Sequence, residues 1–280
     1  ETIESVTSTE IYEFLHYVTR ERANSPAARA RKLSSLKGFY KYLCTKMKLI
    51  RVNPTDDVGI PAQKKRLPKY LSLKEGTELL QSVQSDFYER DYCMITLFLN
   101  CGMRLSELVN INVTDIQDDG TIRIIGKGDK ERLVYLNEAC VKALTRLCDE
   151  RRKLPNLQDD KALFVSKKTG KRLSARRVQQ IVEGCLRAAG LSGKGYSTHK
   201  LRHTAATMMY QEGHVDMLAL KEILGHAHVS TTEIYTHLGA AQLKEAAKAS
   251  PFAKMDFEHP PAAQETDGTK PHDKENRKVE

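Results

Sequence analysis

The chain has 280 residues, of which 40% are hydrophobic and 29% are charged, values typical of a folded protein with a sizeable buried core. Lys and Arg outnumber Asp and Glu by 45 to 36, and the resulting net charge of +9 favours a polyanionic partner such as nucleic acid. No segment reaches the ~18 consecutive apolar residues of a membrane span, and no signal peptide opens the chain, which argues against secretion and membrane insertion.

The first segment, residues 1–60, is predicted to be a helical, basic domain. Ile11, Phe14, Leu15 and Val18 recur at helical spacing, and Ser25-Pro26 has the form of an N-cap followed by proline at the first helical position. The second helix has an apolar face and several basic residues beside it. The residues predicted there to contact DNA are Arg31, Lys32 and Lys37. A solvated basic face on a packed helix would show the same pattern, so both interpretations stay open.

Residues 61–68 are predicted to form a linker, because prolines bound a basic stretch that has no hydrophobic periodicity. Its consecutive basic residues are candidates for contacts with a DNA backbone; they are Lys64, Lys65 and Arg66. The next region, 69–250, is predicted to be a single domain with helices near 73–85, 88–101, 104–110, 137–152 and 174–189 and shorter helices after His199. A β-hairpin is predicted over 121–136, with Lys127 in its glycine-rich turn.

The helix predicted at 174–189 buries one apolar face and carries polar side chains on the opposite one. Side chains of these types can read the edges of guanine and adenine; they are Arg176, Arg177, Gln179 and Gln180. A solvent-facing polar surface is an equally good interpretation. Beyond residue 250 the chain is rich in Pro, Glu, Asp, Lys and Thr, so 251–280 is predicted to be a disordered tail. The six cysteines show no metal-binding spacing and are predicted to be core residues of a reduced protein.

Six polar residues of the second region occur in distinctive local contexts, although each is ordinary when taken singly. They are Arg104, Lys127, His199, Arg202, His226 and Tyr235. An arginine with Glu107 three residues later is most simply a surface helix pair, and a lysine in a glycine turn is most simply solvated. Ser230 and Glu233 form a capping box that places Tyr235 near the start of a helix, where a tyrosine is usually a packing residue.

Taken together, the order and spacing of these residues resemble the active site of the tyrosine recombinases, the family of phage integrases and Xer proteins. The stretches that carry the resemblance are Cys101-Gly102-Met103-Arg104-Leu105-Ser106-Glu107-Leu108, Ile125-Gly126-Lys127-Gly128-Asp129-Lys130-Glu131-Arg132, His199-Lys200-Leu201-Arg202-His203, and Leu224-Gly225-His226 through Ser230-Thr231-Thr232-Glu233-Ile234-Tyr235-Thr236-His237. The resemblance is closest to the bacterial Xer proteins and covers roughly residues 7–248.

The resemblance implies a mainly α fold with a small sheet and a two-domain, C-shaped clamp around DNA. One domain is expected to be an N-terminal helical core-binding domain that lacks the family's first helix, and the other a catalytic domain. It implies that Tyr235 attacks a DNA phosphate, that Arg104 and Arg202 stabilise the transition state, that His199 accepts the phenol proton, and that His226 binds a non-bridging oxygen. Lys127 would protonate the leaving 5′-oxygen, and Glu107 would orient Arg104 or a histidine. No metal or other cofactor is implied.

The family further implies a recombination site on double-stranded DNA, a homotetramer or a heterotetramer with a paralogous recombinase, and activation by a DNA translocase. It also implies that the helix near 240–248 docks on a neighbouring protomer. The leading hypothesis is Xer-type resolution of chromosome dimers through a 3′-phosphotyrosyl intermediate and a Holliday junction, in the cytoplasm at the nucleoid. The alternatives are an integrase or excisionase of a phage or transposon and, from another class, a non-catalytic DNA-binding module.

Overall fold

The computed structural model describes residues 2–59, 69–125, 131–225 and 240–258. The chain divides into two compact units, Glu1–Pro68 and Lys69–Glu280. Both units are mainly helical, and the second also contains a small antiparallel sheet, which confirms the predicted fold class. Among the described residues, every helix is too short or too polar to cross a membrane.

The first unit is built from two helices that pack through one apolar face each. Helix α1 spans Ser8–Arg20 and α2 spans Pro26–Tyr42, continuing as a π-helical turn over Leu43–Met47. The predicted N-cap is confirmed, because the Ser25 hydroxyl accepts the backbone N–H of Ala28 at 3.3 Å. The core of this unit is formed by Ile11, Leu15, Leu33, Tyr40, Leu43 and Val58. Phe14, which was predicted to share this face, is exposed instead.

The second unit contains most of the helices and all of the strands. Its helices are α3 (Leu73–Gln81), α4 (Tyr88–Cys101), α5 (Leu105–Asn110), α6 (Glu138–Arg152), α7 (Ala175–Ala188), α8 (Thr198–Gln211), α9 (Met217–Leu224) and α10 (Ala240–Lys248). Its strands are β1 (Ile116–Gln117), β2 (Thr121–Ile125) and β3 (Glu131–Tyr135), in the order β1-β2-β3 with Ile122 opposite Val134. The predicted hairpin is therefore present on both sides of its turn.

Helix α4 is the centre of the second unit. All of its residues are buried except Glu89, and it packs against α6 on one side and α8 on the other. The predicted bounds match those of α4 and α6 closely, whereas α3 ends at Gln81 rather than 85. At Ser82 the chain leaves helical geometry. The Ser82 hydroxyl donates to the carbonyl oxygens of Leu79 and, across the core, Cys185.

Helix α10 packs against the end of the second unit, and its docking on a neighbouring protomer stays a prediction. Leu243 and Ala246 lie against the cluster formed by α9 and the end of α8, which includes Leu220 and Met209. Leu243 and Ala246 remain partly exposed in this contact, whereas Ala247 is buried.

The C-terminal segment, residues 250–258, is folded onto the second unit, so the prediction of a disordered tail is wrong for residues 251–258. The Phe252 side chain is fully buried and lies so close to Gly76 that a Cβ there would be 2.5 Å from the ring. Ser250 donates to Asn100 at 2.8 Å, and the backbone of Phe257 bonds the hydroxyls of two tyrosines on α4. The polar composition of residues 251–280 predicts disorder. In the structure, however, the buried Phe252 ring and these hydrogen bonds hold residues 250–258 on the second unit. Residues 259–280 lie outside the described residues.

We expect Phe252→Ala to lower the free energy of unfolding by about 3–5 kcal/mol, because it removes a fully buried ring and leaves a cavity between the C-terminal segment and α3. Urea unfolding followed by circular dichroism measures the change. The control is Phe39→Ala, since Phe39 is 43% exposed and its loss should change stability by less than about 1 kcal/mol. Equal effects of the two substitutions would contradict the core role of Phe252.

Glu75 connects the start of α3 to the loop that precedes α8. Its carboxylate accepts the backbone N–H of Ser72 at 2.9 Å, the ammonium of Lys194 at 2.8 Å and the hydroxyl of Tyr196 at 3.1 Å. Burial by itself raises the pKa of Glu75, but these hydrogen bonds outweigh it and lower the pKa to about 2. The ionised carboxylate therefore stabilises the fold at and above its ordinary pKa near 4.5.

The stability that Glu75 contributes should be lost as the pH falls from its ordinary pKa towards about 2, because the unfolded chain then binds a proton that the folded chain resists. We expect Glu75→Gln to unfold at lower urea concentration than the wild type at pH 6 and to lose less stability on acidification. The control is Glu183→Gln, at an exposed position on α7. The same slope of stability against pH in wild type and Glu75→Gln would refute this role of the carboxylate.

Candidate active site

Arg104 and Glu107 lie at the junction between α4 and α5. Gly102 ends α4 in the left-handed region at φ 57°, and this sharp turn points the following residues back across the end of the helix. Arg104 then becomes the N-cap of α5, with its backbone N–H donating to Glu107 Oε2 at 2.8 Å. The Arg104 guanidinium donates to the other oxygen, Glu107 Oε1, at 2.6 Å. Arg104 and Glu107 therefore form a fixed ion pair whose carboxylate is buried, rather than the solvated surface pair that their spacing alone would favour.

Arg202 reaches the same place from α8. Its Nη1 donates to the carbonyl of Gly102 at 2.6 Å and lies 3.8 Å from Glu107 Oε2. Its Nη2 donates to the carbonyl of Leu224 at 2.7 Å. The structure thus brings together two residues that are 98 positions apart in the sequence and that the resemblance assigned to the same phosphate.

A third arginine, Arg132 at the start of β3, completes the group. Its Nη2 donates to Glu107 Oε2 at 2.9 Å and its Nη1 to the carbonyl of Ile223 at 2.7 Å. Arg132 was not among the predicted site residues. Arg132 lies within one of the stretches that carry the family resemblance. Its position there does not indicate that its partners are Glu107, 25 residues earlier, and Ile223, 91 residues later. We refer to Arg104, Arg132 and Arg202 around Glu107 as the arginine cluster.

The three guanidinium groups bond three consecutive carbonyl groups at the end of α9. Arg132 bonds Ile223, Arg202 bonds Leu224, and Arg104 bonds Gly225 at 2.9 Å. Carbonyl groups at the C-terminus of a helix have no partner within the helix and carry partial negative charge. The helix end is therefore satisfied by the arginines and at the same time orients them.

The arginine cluster has an excess of positive charge in a mostly buried setting. Side-chain exposure is 2% for Glu107, 9% for Arg202 and 14% for Arg132, but 36% for Arg104. Burial raises the pKa of Glu107, but the charge of Arg132 and the hydrogen bonds from Arg104 outweigh it, so the pKa is lowered.

The arginines themselves respond to the same environment. Burial, followed by the charge of Arg104, lowers the pKa of Arg202 to about 10, and burial also lowers the pKa of Arg132. With three cations and one carboxylate, the cluster is suited to binding an anion at its exposed side, where Arg104 lies.

Two histidines lie on α8 near Arg202. His199 is exposed in the first turn of the helix, three residues before Arg202. His203, which was not predicted as a site residue, is half-buried, and burial together with the charges of Lys200 and His199 lowers its pKa. The helix is fixed by Thr204, whose hydroxyl accepts the backbone N–H of Leu71 at 2.9 Å.

Several predicted site residues lie outside the described residues. Among the catalytic candidates these are Lys127, His226 and Tyr235, and among the DNA contacts they are Lys64, Lys65 and Arg66. In the sequence, Lys127 lies between the residues of β2 and those of β3, and His226 directly follows Gly225. Arg132, five residues after Lys127, belongs to the arginine cluster. Gly225, next to His226, contacts Arg104 and Arg132 of that cluster.

The remaining DNA-contact candidates lie on two helix surfaces, one in each unit. Arg31 and Lys32 are exposed on α2, and Lys37 is half-buried there. On α7 the apolar residues face the core, whereas the polar set is exposed apart from half-buried Gln179. Arg177 donates to Gln180 at 3.4 Å.

No described group of His, Cys, Asp or Glu side chains is arranged to hold a metal ion. Four of the six cysteines are buried as predicted, whereas Cys44 and Cys148 are half-buried. Burial raises the pKa of Cys185 to about 12, so this thiol behaves as a core residue.

Comparisons with known proteins identify the family of the second unit. The family model described as "Phage integrase family" matches residues 69–242. The tyrosine recombinase XerC of Caldanaerobacter subterraneus subsp. tengcongensis is 52% identical over 252 residues, which cover 90% of this chain and 70% of the relative. The tyrosine recombinase XerD of Pseudomonas putida is 35% identical, over 80% of this chain and 76% of the relative.

Solved structures show the same similarity. The XerH site-specific recombinase bound to a palindromic difH substrate, in a post-cleavage complex, matches with a TM-score of 0.67 and 28% identity, covering 88% of this chain and 73% of that chain. A λ integrase dimer bound to a COC′ core site, at 19% identity and a TM-score of 0.62 over 83% of this chain and 85% of that chain, shares the fold. The chain therefore belongs to the phage integrase family of tyrosine recombinases.

Proposed function

We propose that this protein is an Xer-type site-specific recombinase that cuts and rejoins DNA strands through a 3′-phosphotyrosyl intermediate on Tyr235. The observation that carries the proposal is the arginine cluster, in which Arg104 and Arg202 are fixed around Glu107 at the end of α9. The 52% identity to a XerC protein and the likeness to DNA-bound XerH support the same function.

The arginine cluster suits a reaction at a phosphodiester. The phosphate gains negative charge as it becomes five-coordinate, so cations that are already oriented stabilise the transition state more than the ground state. Arg104 and Arg202 are held by backbone carbonyls and by Glu107, and little reorganisation is needed when the phosphate arrives. Planar guanidinium groups also match two phosphate oxygens at once.

The strand-transfer step exchanges one phosphate ester for another. The Tyr235 oxygen forms a bond to phosphorus while the bond to the 5′-oxygen breaks, and His199 accepts the phenol proton. Lys127 gives a proton to the leaving 5′-oxygen, and His226 donates to a non-bridging oxygen. The phosphotyrosyl bond keeps the energy of the original ester, so the 5′-hydroxyl of a partner strand can attack it and restore the DNA. Exchange of the first strand pair yields a Holliday junction.

DNA contacts outside the arginine cluster are assigned to the basic and polar helix surfaces. Arg31, Lys32 and Lys37 on α2, together with Lys64, Lys65 and Arg66, would bind phosphates and make affinity depend on salt. The α7 side chains would read base edges; they are Arg176, Arg177, Gln179 and Gln180. We further propose a tetramer on two DNA duplexes, formed with identical or paralogous protomers, that responds to a DNA translocase and resolves chromosome dimers in the cytoplasm at the nucleoid.

The proposal is tested by trapping the covalent intermediate. Duplexes that wild-type protein selects from a random-sequence library are nicked at successive positions, so that cleavage next to a nick releases a short fragment and prevents religation. We expect an adduct that survives denaturation, and nuclease digestion followed by mass spectrometry should place the nucleotide on the peptide that contains Tyr235. Attachment to another residue would refute the assigned nucleophile. Selective DNA binding without any adduct would instead favour a non-catalytic DNA-binding module.

A further inference from the structure

Arg132 occupies an unusual position for a strand residue. It pairs with Ile124 across the β2–β3 ladder, and its side chain lies on the same face of the strand as buried Val134. A guanidinium at this position is removed from water, and burying a charge is unfavourable unless it is paired and hydrogen-bonded. The ion pair and hydrogen bonds of Arg132 compensate for that cost.

The contacts of Arg132 connect three elements that carry or adjoin the proposed active site. One nitrogen bonds Glu107 on α5, and another bonds the carbonyl of Ile223 in the last turn of α9. The guanidinium also lies against Gly225, since a Cβ on Gly225 would be 2.5 Å from Nε and 2.7 Å from Cδ of Arg132. Gly225 has φ 65°, so both its backbone geometry and this contact require glycine.

We propose that Arg132 is a positioning residue that fixes the Glu107 carboxylate and the end of α9 in one arrangement, and thereby aims the Arg104 guanidinium at the scissile phosphate. The inference deepens the proposed function and rests on it. Arg132 itself is mostly buried and is assigned no contact with the phosphate.

The two oxygens of Glu107 have different partners. Oε2 accepts the backbone N–H of Arg104 and Nη2 of Arg132, and this fixes the rotation of the carboxylate. Oε1 is then directed at Nη1 of Arg104. Without Arg132, one of the donors to Oε2 is gone and Arg202, 3.8 Å away, becomes an alternative partner. The Arg104 side chain would then lose its defined orientation, because its carboxylate partner could turn away.

The second contact of Arg132 acts on the other partner of Arg104. By bonding the Ile223 carbonyl and packing on Gly225, Arg132 holds the turn whose Gly225 carbonyl accepts Nη2 of Arg104. Both hydrogen bonds that orient Arg104 therefore depend on Arg132. A lysine at this position would keep the charge, but a single ammonium on a flexible chain does not reproduce the planar fork that reaches both acceptors.

Within the described ranges, the charged groups that face Glu107 are Arg104 from the N-cap of α5, Arg132 from β3 and Arg202 from α8. Removing the positive charge of Arg132 leaves Glu107 buried with weaker compensation, so its pKa rises and it binds a proton at higher pH. A variant without the charge should therefore lose cleavage activity earlier on acidification. A variant that keeps the charge should not show that shift, although its orientation of Arg104 is impaired.

The test compares Arg132→Met and Arg132→Lys with Arg123→Met. Arg123 lies on the adjacent strand, is half exposed and is 3.6 Å from Asp115, so it is a matched arginine outside the arginine cluster. For each protein we would measure the unfolding midpoint, the affinity for the selected duplex, and the single-turnover rate of adduct formation from pH 5 to pH 9. Hydrogen exchange of residues 217–225 would be followed by mass spectrometry.

Both Arg132 variants should bind DNA within about threefold of wild type yet form the adduct about 100-fold more slowly, which is the effect expected of a small misplacement of a reacting group. The acid limb of the pH–rate profile should move to higher pH in Arg132→Met only. Hydrogen exchange of residues 217–225 should be faster in both Arg132 variants. Arg123→Met should match wild type in all four measurements.

Three results would overturn the proposal: an unchanged adduct rate in folded, DNA-bound Arg132→Met; a rate that falls only in proportion to the folded fraction; or the same acid limb in Arg132→Met as in wild type. If wild-type protein forms no adduct on any duplex, the proposed function fails. In that case hydrogen exchange still decides whether Arg132 holds the end of α9, because faster exchange supports this contact and unchanged exchange refutes it.

Discussion

The Tyr235→Phe protein is expected to bind the selected duplexes as tightly as wild type and to form no covalent adduct. Phenylalanine keeps the ring but lacks the oxygen that would bond to phosphorus, so the reaction has no nucleophile. Loss of a nucleophile lowers the rate by about 10⁶-fold in well-studied hydrolases, which here places the adduct below detection. Denaturing gels of the nicked-duplex reaction measure it directly.

The control for this substitution is Tyr210→Phe. Tyr210 is half exposed on α8, close in sequence to the proposed site residues but with no assigned role. We expect adduct formation by Tyr210→Phe to equal that of wild type. An adduct of normal yield in Tyr235→Phe would show that a different residue attacks the phosphate, and loss of adduct in Tyr210→Phe would mean that the assay does not distinguish the nucleophile from another tyrosine.

Replacing Arg202 by Met should slow adduct formation by about 10³- to 10⁵-fold, the range seen when an arginine that stabilises a phosphoryl transition state is removed. The reason is that Arg202 is held rigidly by the carbonyls of Gly102 and Leu224, so no other cation of the cluster can take its place without moving. The burst rate on the nicked duplex, measured at saturating protein, isolates the chemical step from DNA binding.

The matched control is Arg151→Met. Arg151 is as buried as Arg202 and also bonds backbone carbonyls, those of Asp159, Asp160 and Ala162, but these belong to the loop after α6. We expect it to lose stability because three carbonyls lose their donor, while the burst rate per folded molecule stays normal. Equal rates for Arg202→Met and Arg151→Met would mean that Arg202 is a structural residue only.

Arg202→Lys gives additional information about charge. The cluster holds three guanidinium groups around one carboxylate, so it has more positive charge than Glu107 balances. A bound phosphate would relieve that imbalance. The Lys variant keeps a cation but not the two-carbonyl geometry, so we expect a rate between those of wild type and Arg202→Met.

Elements with a strong periodic pattern could be predicted from the sequence. Helix α7 spans 175–188 against a prediction of 174–189, because its apolar residues follow one face and Ser174 provides an N-cap. The β2–β3 hairpin has alternating apolar residues on both sides of a glycine-rich turn. In both cases the information is local, and local patterns survive in the folded chain.

Features that depend on contacts between distant residues could not be predicted. Arg132 looks like any strand residue until Glu107 and Ile223 are placed beside it. Phe252 lies in a polar, proline-containing stretch, and the space that receives it exists only because residue 76 is glycine. The catalytic set was identified through resemblance to a family; spacing alone does not show that Arg104 and Arg202 converge on one carboxylate.

The C-terminal segment has a consequence for how the protein is made. Because Phe252 and Ser250 complete the core around α3 and α4, a nascent chain still attached to the ribosome before residue 252 lacks part of that core. The hydrophobic space beside Gly76 then stays open until the end of the domain has emerged. The core around α3 and α4 is thus closed by residues that are synthesised after the helices they cover.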